Sequence, residues 1–145
     1  MKIFTIGFTK KRARDFFGTV CGSGAKRVVD VRLNNLSQLA GFAKKDDLAY
    51  FLEAICGLKY VHLPVLAPTK EMLDQYKKGN ADWPWYETSF LNLMKERAIE
   101  QAVPQDVLAD GCLLCSEDKP HHCHRRLVAE YLQRHWGDVE IRHLG

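Results

Sequence analysis

Short apolar runs alternate with helix-period patterns along most of the chain, and that alternation predicts βαβ units around a mainly parallel sheet. Ile3 to Gly7 reads as a first strand, with β-branched residues that suit a pleated, buried position. Ala13, Phe16, Phe17 and Val20 then fall at i, i+3, i+4 and i+7, one apolar helix face, with Thr9 as its candidate cap. Arg27 to Arg32 is the second strand. Leu48, Phe51, Leu52 and Ile55 form the stripe of a second helix, which Gly57 ends. Tyr60 to Leu63 is the third strand. Thr69 caps a short helix to Lys78, and Phe90, Leu93, Met94 and Ala98 run down a long one to about Gln101. Gly111 to Cys115 is the fourth strand, and Leu127, Val128, Tyr131, Leu132 and His135 line the last large helix. Val139 to Arg142 supplies a final edge strand. The expected fold is a single α/β domain over residues 1–145. Its mostly parallel sheet of about five strands carries helices on both faces, a Rossmann-like three-layer arrangement.

Composition narrows the classes. At 145 residues, 46% hydrophobic and 27% charged, the chain is long and apolar enough for one real core. The net charge of +3 permits an anionic ligand without the strongly basic face expected of a nucleic-acid binder. The apolar run in MKIFTIGF is too short for a signal peptide, and no run approaches a membrane span. The expected setting is cytoplasmic. There the five cysteines are expected to be free, catalytic or metal-bound rather than paired.

Chemistry concentrates between Gly111 and Tyr131, which holds three cysteines, three histidines and two adjacent arginines. Such a cluster between a strand's end and a helix's start suggests a site, because α/β proteins bind ligands at the carboxyl ends of parallel strands. Cys112 and Cys115 have CxxC spacing, yet residues three apart in a strand point to opposite faces. Cys115, Cys123 and His124, with His121 or His122, can still assemble a tetrahedral metal set. The other reading is a reactive thiol, Cys115 at the strand's end or Cys123 near the next helix start, with Glu117 or His124 as acid or base. Both can also be buried fillers.

Elsewhere, Asp30 and Arg32 share a strand face and form either a structural ion pair or a ligand-positioning pair. The loop 33–42 carries Asn34, Asn35, Ser37 and Gln38. Lys10, Lys11, Arg12 and Arg14 either face an anion or form a solvated basic face. The aromatic cluster 82–86 either plugs a core edge or stacks on a ring. His62 reads as a satisfied, partly buried histidine.

Four segments, in order, resemble the bacterial "domain of unknown function 488" family. They are Thr5-Ile6-Gly7 with its basic helix, Val29-Asp30-Val31-Arg32 with Ser37 and Gly41-Phe42, Tyr60-Val61-His62-Leu63-Pro64, and Leu113-Leu114-Cys115-Ser116-Glu117 with Cys123-His124-Arg125. The chain departs from it at Leu33-Asn34-Asn35, where many members carry a proline. The family brings no assigned activity, so the resemblance implies fold and positions only. A looser likeness is to rhodaneses, at the level of fold analogy.

The site is expected where Gly7–Thr9, Asp30–Ser37 and Cys115–Arg125 meet. Gly7, Thr9, Arg32, Ser37 and Arg125 would bind an anionic or phosphate-bearing small molecule or nucleotide. Asp30, Cys115, Glu117, Cys123 and His124 would carry any catalysis. The alternatives are a non-catalytic nucleotide or nucleic-acid module using Lys10–Arg14, Trp83 and Trp85, and a small zinc-stabilised domain. No cofactor is specified.

Overall fold

A computed structural model of the chain describes residues 1–35 and 41–145. The strands are β1 (Lys2–Gly7), β2 (Arg27–Asp30), β3 (Lys59–His62), β4 (Gly111–Cys115) and β5 (Glu140–His143). The helices are α1 (Ala13–Gly22), α2 (Lys45–Phe51), α3 (Lys70–Lys77), α4 (Trp83–Arg97), α5 (Ile99–Ala102), α6 (Gln105–Leu108) and α7 (His124–Trp136). The sheet order is β3-β2-β4-β1-β5, and every pairing is parallel. Gly7 lies opposite Cys115, and Asp30 lies between Leu114 and His62.

Strand alternation divides the core into two. Phe4, Ile6, Val28, Cys112 and Leu114 pack on one face with Phe16, Phe17 and Val20 of α1 and Leu48 of α2. Ile3, Val29, Leu113 and Cys115 pack on the other with Phe90 of α4 and Leu127, Val128 and Leu132 of α7. Three layers result, as the alternating pattern predicts. Chain segments after β1 and β2 cover the first face, and those after β3 and β4 cover the second. A crevice therefore opens where β2 and β4 lie side by side and their following helices diverge.

Local signals explain most boundaries. Gly57 ends the second helical segment in a left-handed conformation, and the Thr69 hydroxyl accepts from the Met72 N–H to cap α3. Asp82 caps α4 in the same way, accepting from Trp85.

Four expectations are corrected. Thr9 caps nothing, because α1 starts only after Arg12; instead the Thr9 N–H donates to the Ser116 carbonyl at 3.0 Å. After Phe51 the second helix widens into a π-turn over Leu52–Cys56, which turns Ile55 outward to 55% exposure. The long helix α4 stops at Arg97, where Ala98 turns left-handed and restarts the chain as α5. Cys21 and Cys56 form a disulfide across 35 residues, because packing sets the end of α1 against the π-turn. Cys112, Cys115 and Cys123 are free and buried. Among the described residues no helix is long and apolar enough to cross a membrane.

Candidate functional site

A cleft of about 260 Å³ opens at the carboxyl ends of β2 and β4. Cys115, Cys123 and His124 lie on one side, Arg32 on another, and Trp83 and Tyr86 form an aromatic wall.

Arg32 is positioned by a buried network. Its Nε donates to Asp30 Oδ1 at 2.8 Å and its Nη2 to Oδ2 at 2.7 Å. Its backbone N–H adds a bond to Oδ1 at 3.0 Å. The Tyr60 hydroxyl donates to Asp30 Oδ2 at 2.5 Å, and the Asn35 amide donates to Tyr60 at 3.1 Å. Burial, reinforced by Asp30, pushes the Tyr60 hydroxyl pKa up, so it stays a donor. Phe8 lies beneath the guanidinium, 5.2 Å from ring centre to Cζ. The two oxygens of Asp30 are thus fully engaged, and the residue does not fit the acid–base role expected of it. It positions Arg32. Both side chains are at least nine-tenths buried, at 0% and 4% exposure. One donor is left over: Arg32 Nη1 is buried with no hydrogen-bond partner among the described residues. An unsatisfied buried charged donor beside a cleft is costly unless something fills the vacant bond.

The sulfur side is as tightly built. Cys115 ends β4 and Cys123 precedes α7, so the loop between them folds back on itself. The ligand atoms of Cys115, Cys123 and His124 lie within 4.8 Å of one another. His124 Nε2 donates to the Val31 carbonyl at 2.7 Å, which turns Nδ1 toward Cys115 Sγ at 3.6 Å. A hydrogen bond from Cys123 holds the Cys115 thiol well below the ordinary range, against burial and with help from His124 and the Glu117 N–H. Cys123 moves the other way, pushed up by burial and by Cys115. Burial alone would lower His124, but the Cys115 charge and hydrogen bond raise it on balance. These shifts favour the thiolate at Cys115 and the charged form of His124, and disfavour ionisation of Cys123. The same trio offers a Cys₂His donor set that suits a soft metal.

Of the remaining expected catalytic and anion-binding residues that are described, Glu117 alone lines the cleft. The Glu117 side chain is exposed and lines the cleft, while its carbonyl accepts from Arg125 Nη1. Arg125 is fully buried; its Nε donates to Thr5 at 3.3 Å and its Nη2 to the Asp118 carbonyl at 3.2 Å. Its donors are spent on holding the loop, so it anchors rather than binds a ligand. Gly7 does not line the cleft either. A Cβ there would lie 1.6 Å from the Glu117 carbonyl oxygen, so glycine is what lets the loop close over β1. Thr9 is exposed and away from the cleft. Ser37 lies outside the described residues. Cys112 points to the opposite core, its thiol pushed up to about 12 by burial. Lys11 pairs with Asp118 at 2.7 Å and tethers the same loop; Arg12 pairs with Asp15 on the surface.

Sequence reasoning missed Tyr60 and Asn35 as the support of Asp30, and Phe8 beneath Arg32. The signal for Tyr60 was its place in β3, two residues before His62, which bonds the Arg32 carbonyl at 2.7 Å. The aromatic cluster plugs a core edge and also lines the cleft. Trp83 stacks on His122 at 4.8 Å and walls the cleft, Tyr86 is a core residue with an edge in the cleft, and Trp85 lies elsewhere.

No curated protein and no solved structure is significantly similar to the chain, and a likeness to rhodaneses is not shown. A family profile described as "Domain of unknown function DUF488" matches residues 12–132. That span takes in Asp30, Arg32, the aromatic wall and the whole Cys115–Arg125 loop, and the chain belongs to this family.

Proposed function

We propose that this protein is a cysteine-dependent enzyme acting on a small anionic substrate. One observation carries the reading. Arg32, whose Nη1 is buried with no hydrogen-bond partner among the described residues, lines the same cleft as Cys115, whose thiol is held below the ordinary range. An anionic group of the substrate completes the Arg32 hydrogen bonds, with Asp30 and Tyr60 fixing the guanidinium. Cys115 attacks, and His124 supplies or takes the proton. The Trp83–Tyr86 wall excludes water and accepts a planar or apolar part of the substrate. A cytoplasmic setting, expected from the sequence, suits a working thiolate. A phosphate-bearing nucleotide remains within this substrate class.

The test is alkylation of the native protein by iodoacetate and by neutral iodoacetamide, mapped by residue against pH. A thiol whose pKa is lowered keeps its thiolate as pH falls below the ordinary value of about 8.5. Cys115 labelling should therefore hold its rate below that pH, where Cys112 is inert. Relative to a free thiol, iodoacetate should be favoured over iodoacetamide, and Arg32→Gln should cut that preference by about tenfold, the worth of one charged hydrogen bond. Arg32→Lys should retain part of it. Labelling only after unfolding, or with no anion preference, overturns the reading. Labelling only after chelation transfers the trio to a metal site.

A further inference from the structure

The proposed thiolate uses one sulfur, yet the cleft holds two. Cys123 is a free, buried thiol just before α7, and its sulfur lies within 4.8 Å of the ligand atoms of Cys115 and His124. A second thiol in that place is not needed for simple attack on carbon. A backbone N–H or a serine would serve as the hydrogen-bond donor. What a second thiol adds is the ability to form a bond to the first.

We propose that Cys115 and Cys123 are the attacking and resolving thiols of an exchange reaction, and that the substrate is a small anionic disulfide. The inference rests on the thiolate reading above and names its substrate. The Cys115 thiolate attacks one sulfur of R–S–S–R′, forming Cys115–S–S–R and breaking the substrate's S–S bond. The leaving R′–S⁻ takes the proton of the His124 imidazolium. Neutralising Cys115 removes the negative charge beside Cys123, whose proton then passes to neutral His124. The Cys123 thiolate attacks Cys115 Sγ, the Cys115–Cys123 bond forms, and R–S⁻ leaves with the proton from His124. The substrate gains two electrons and leaves as two thiols; the protein dithiol supplies those electrons. Arg32 Nη1 holds the anionic end of R throughout. The geometry meets the requirement of reach: both sulfurs and the imidazole lie within 4.8 Å, inside one cleft.

The Cys21–Cys56 disulfide plays no part, since it lies on the opposite face of the sheet.

The experiment incubates the reduced-site full chain with dithiodiglycolate, a small dicarboxylate disulfide, and maps the products by peptide mass spectrometry. Wild type should accumulate a Cys115–Cys123 disulfide, with loss of two hydrogens and release of both halves of the probe as thiols. Cys123→Ser should stop at the mixed disulfide on Cys115. The uncharged hydroxyethyl disulfide should react more slowly, and Arg32→Gln should erase the difference. A wild-type protein that accumulates the mixed disulfide on Cys115, with Cys123 still a free thiol, overturns the proposal. Native Cys115 that is alkylated by iodoacetate but takes nothing from either disulfide also overturns it while leaving the thiolate reading intact. Native Cys115 inert to all of these reagents overturns both. The wild-type mapping needs no variant, so a Cys123 substitution that fails to fold does not blunt the test.

Discussion

Asp30 shows how much a single residue's role depends on its neighbours. A carboxylate at a strand's carboxyl end reads equally well as acid, ligand or ion-pair partner. Its oxygens accept from Arg32 and Tyr60. Its work is to neutralise and aim a buried guanidinium. Asp30→Ala should therefore cost about 3–5 kcal/mol of stability, read from the urea midpoint, because it strands the Arg32 charge in the core. The same variant should reduce the iodoacetate preference of Cys115 as Arg32 loses its orientation. Cys115, Cys123 and His124 were legible as a candidate group from their place between an apolar strand and an amphipathic helix. Which thiol would carry the charge was not. The downward shift of Cys115 comes from three-dimensional donors, namely the Cys123 S–H, the Glu117 N–H and a histidine turned by the Val31 carbonyl.

At the scale of elements, periodicity located all five strands and the larger helices, and caps fixed several ends. It failed where packing overrides the repeat. The π-turn after α2 rotates Ile55 out of the apolar stripe and brings Cys56 to Cys21. The disulfide closes a loop of separation 35. By the chain-entropy argument it contributes roughly 3–4 kcal/mol, mainly by restricting the unfolded chain. Cys21→Ser, or reduction of the bond, should lower the denaturant midpoint accordingly and leave the pH profile of Cys115 labelling unchanged, because the sheet separates them.

Across the whole molecule, Arg125 links β1 to the site loop, through Thr5 and the Glu117 and Asp118 carbonyls. Arg125→Met should cost about 3 kcal/mol, the upper range for hydrogen bonds to a charged group. It should also open the loop 116–122 to limited proteolysis while α1 and α2 stay protected. The sequence by itself determined the layered α/β fold, because alternation in the strands and the 3.6-residue repeat in the helices each leave one solution for burying their apolar faces. It also singled out the stretch that forms one wall of the cleft. Only the tertiary structure decided the division of labour. The two arginines looked equivalent along the chain, yet Arg125 bonds the Glu117 and Asp118 carbonyls and the Thr5 hydroxyl, while Arg32 keeps one nitrogen without a partner among the described residues. Hydrogen-bond saturation is a property of contacts between distant segments, and no local pattern encodes it.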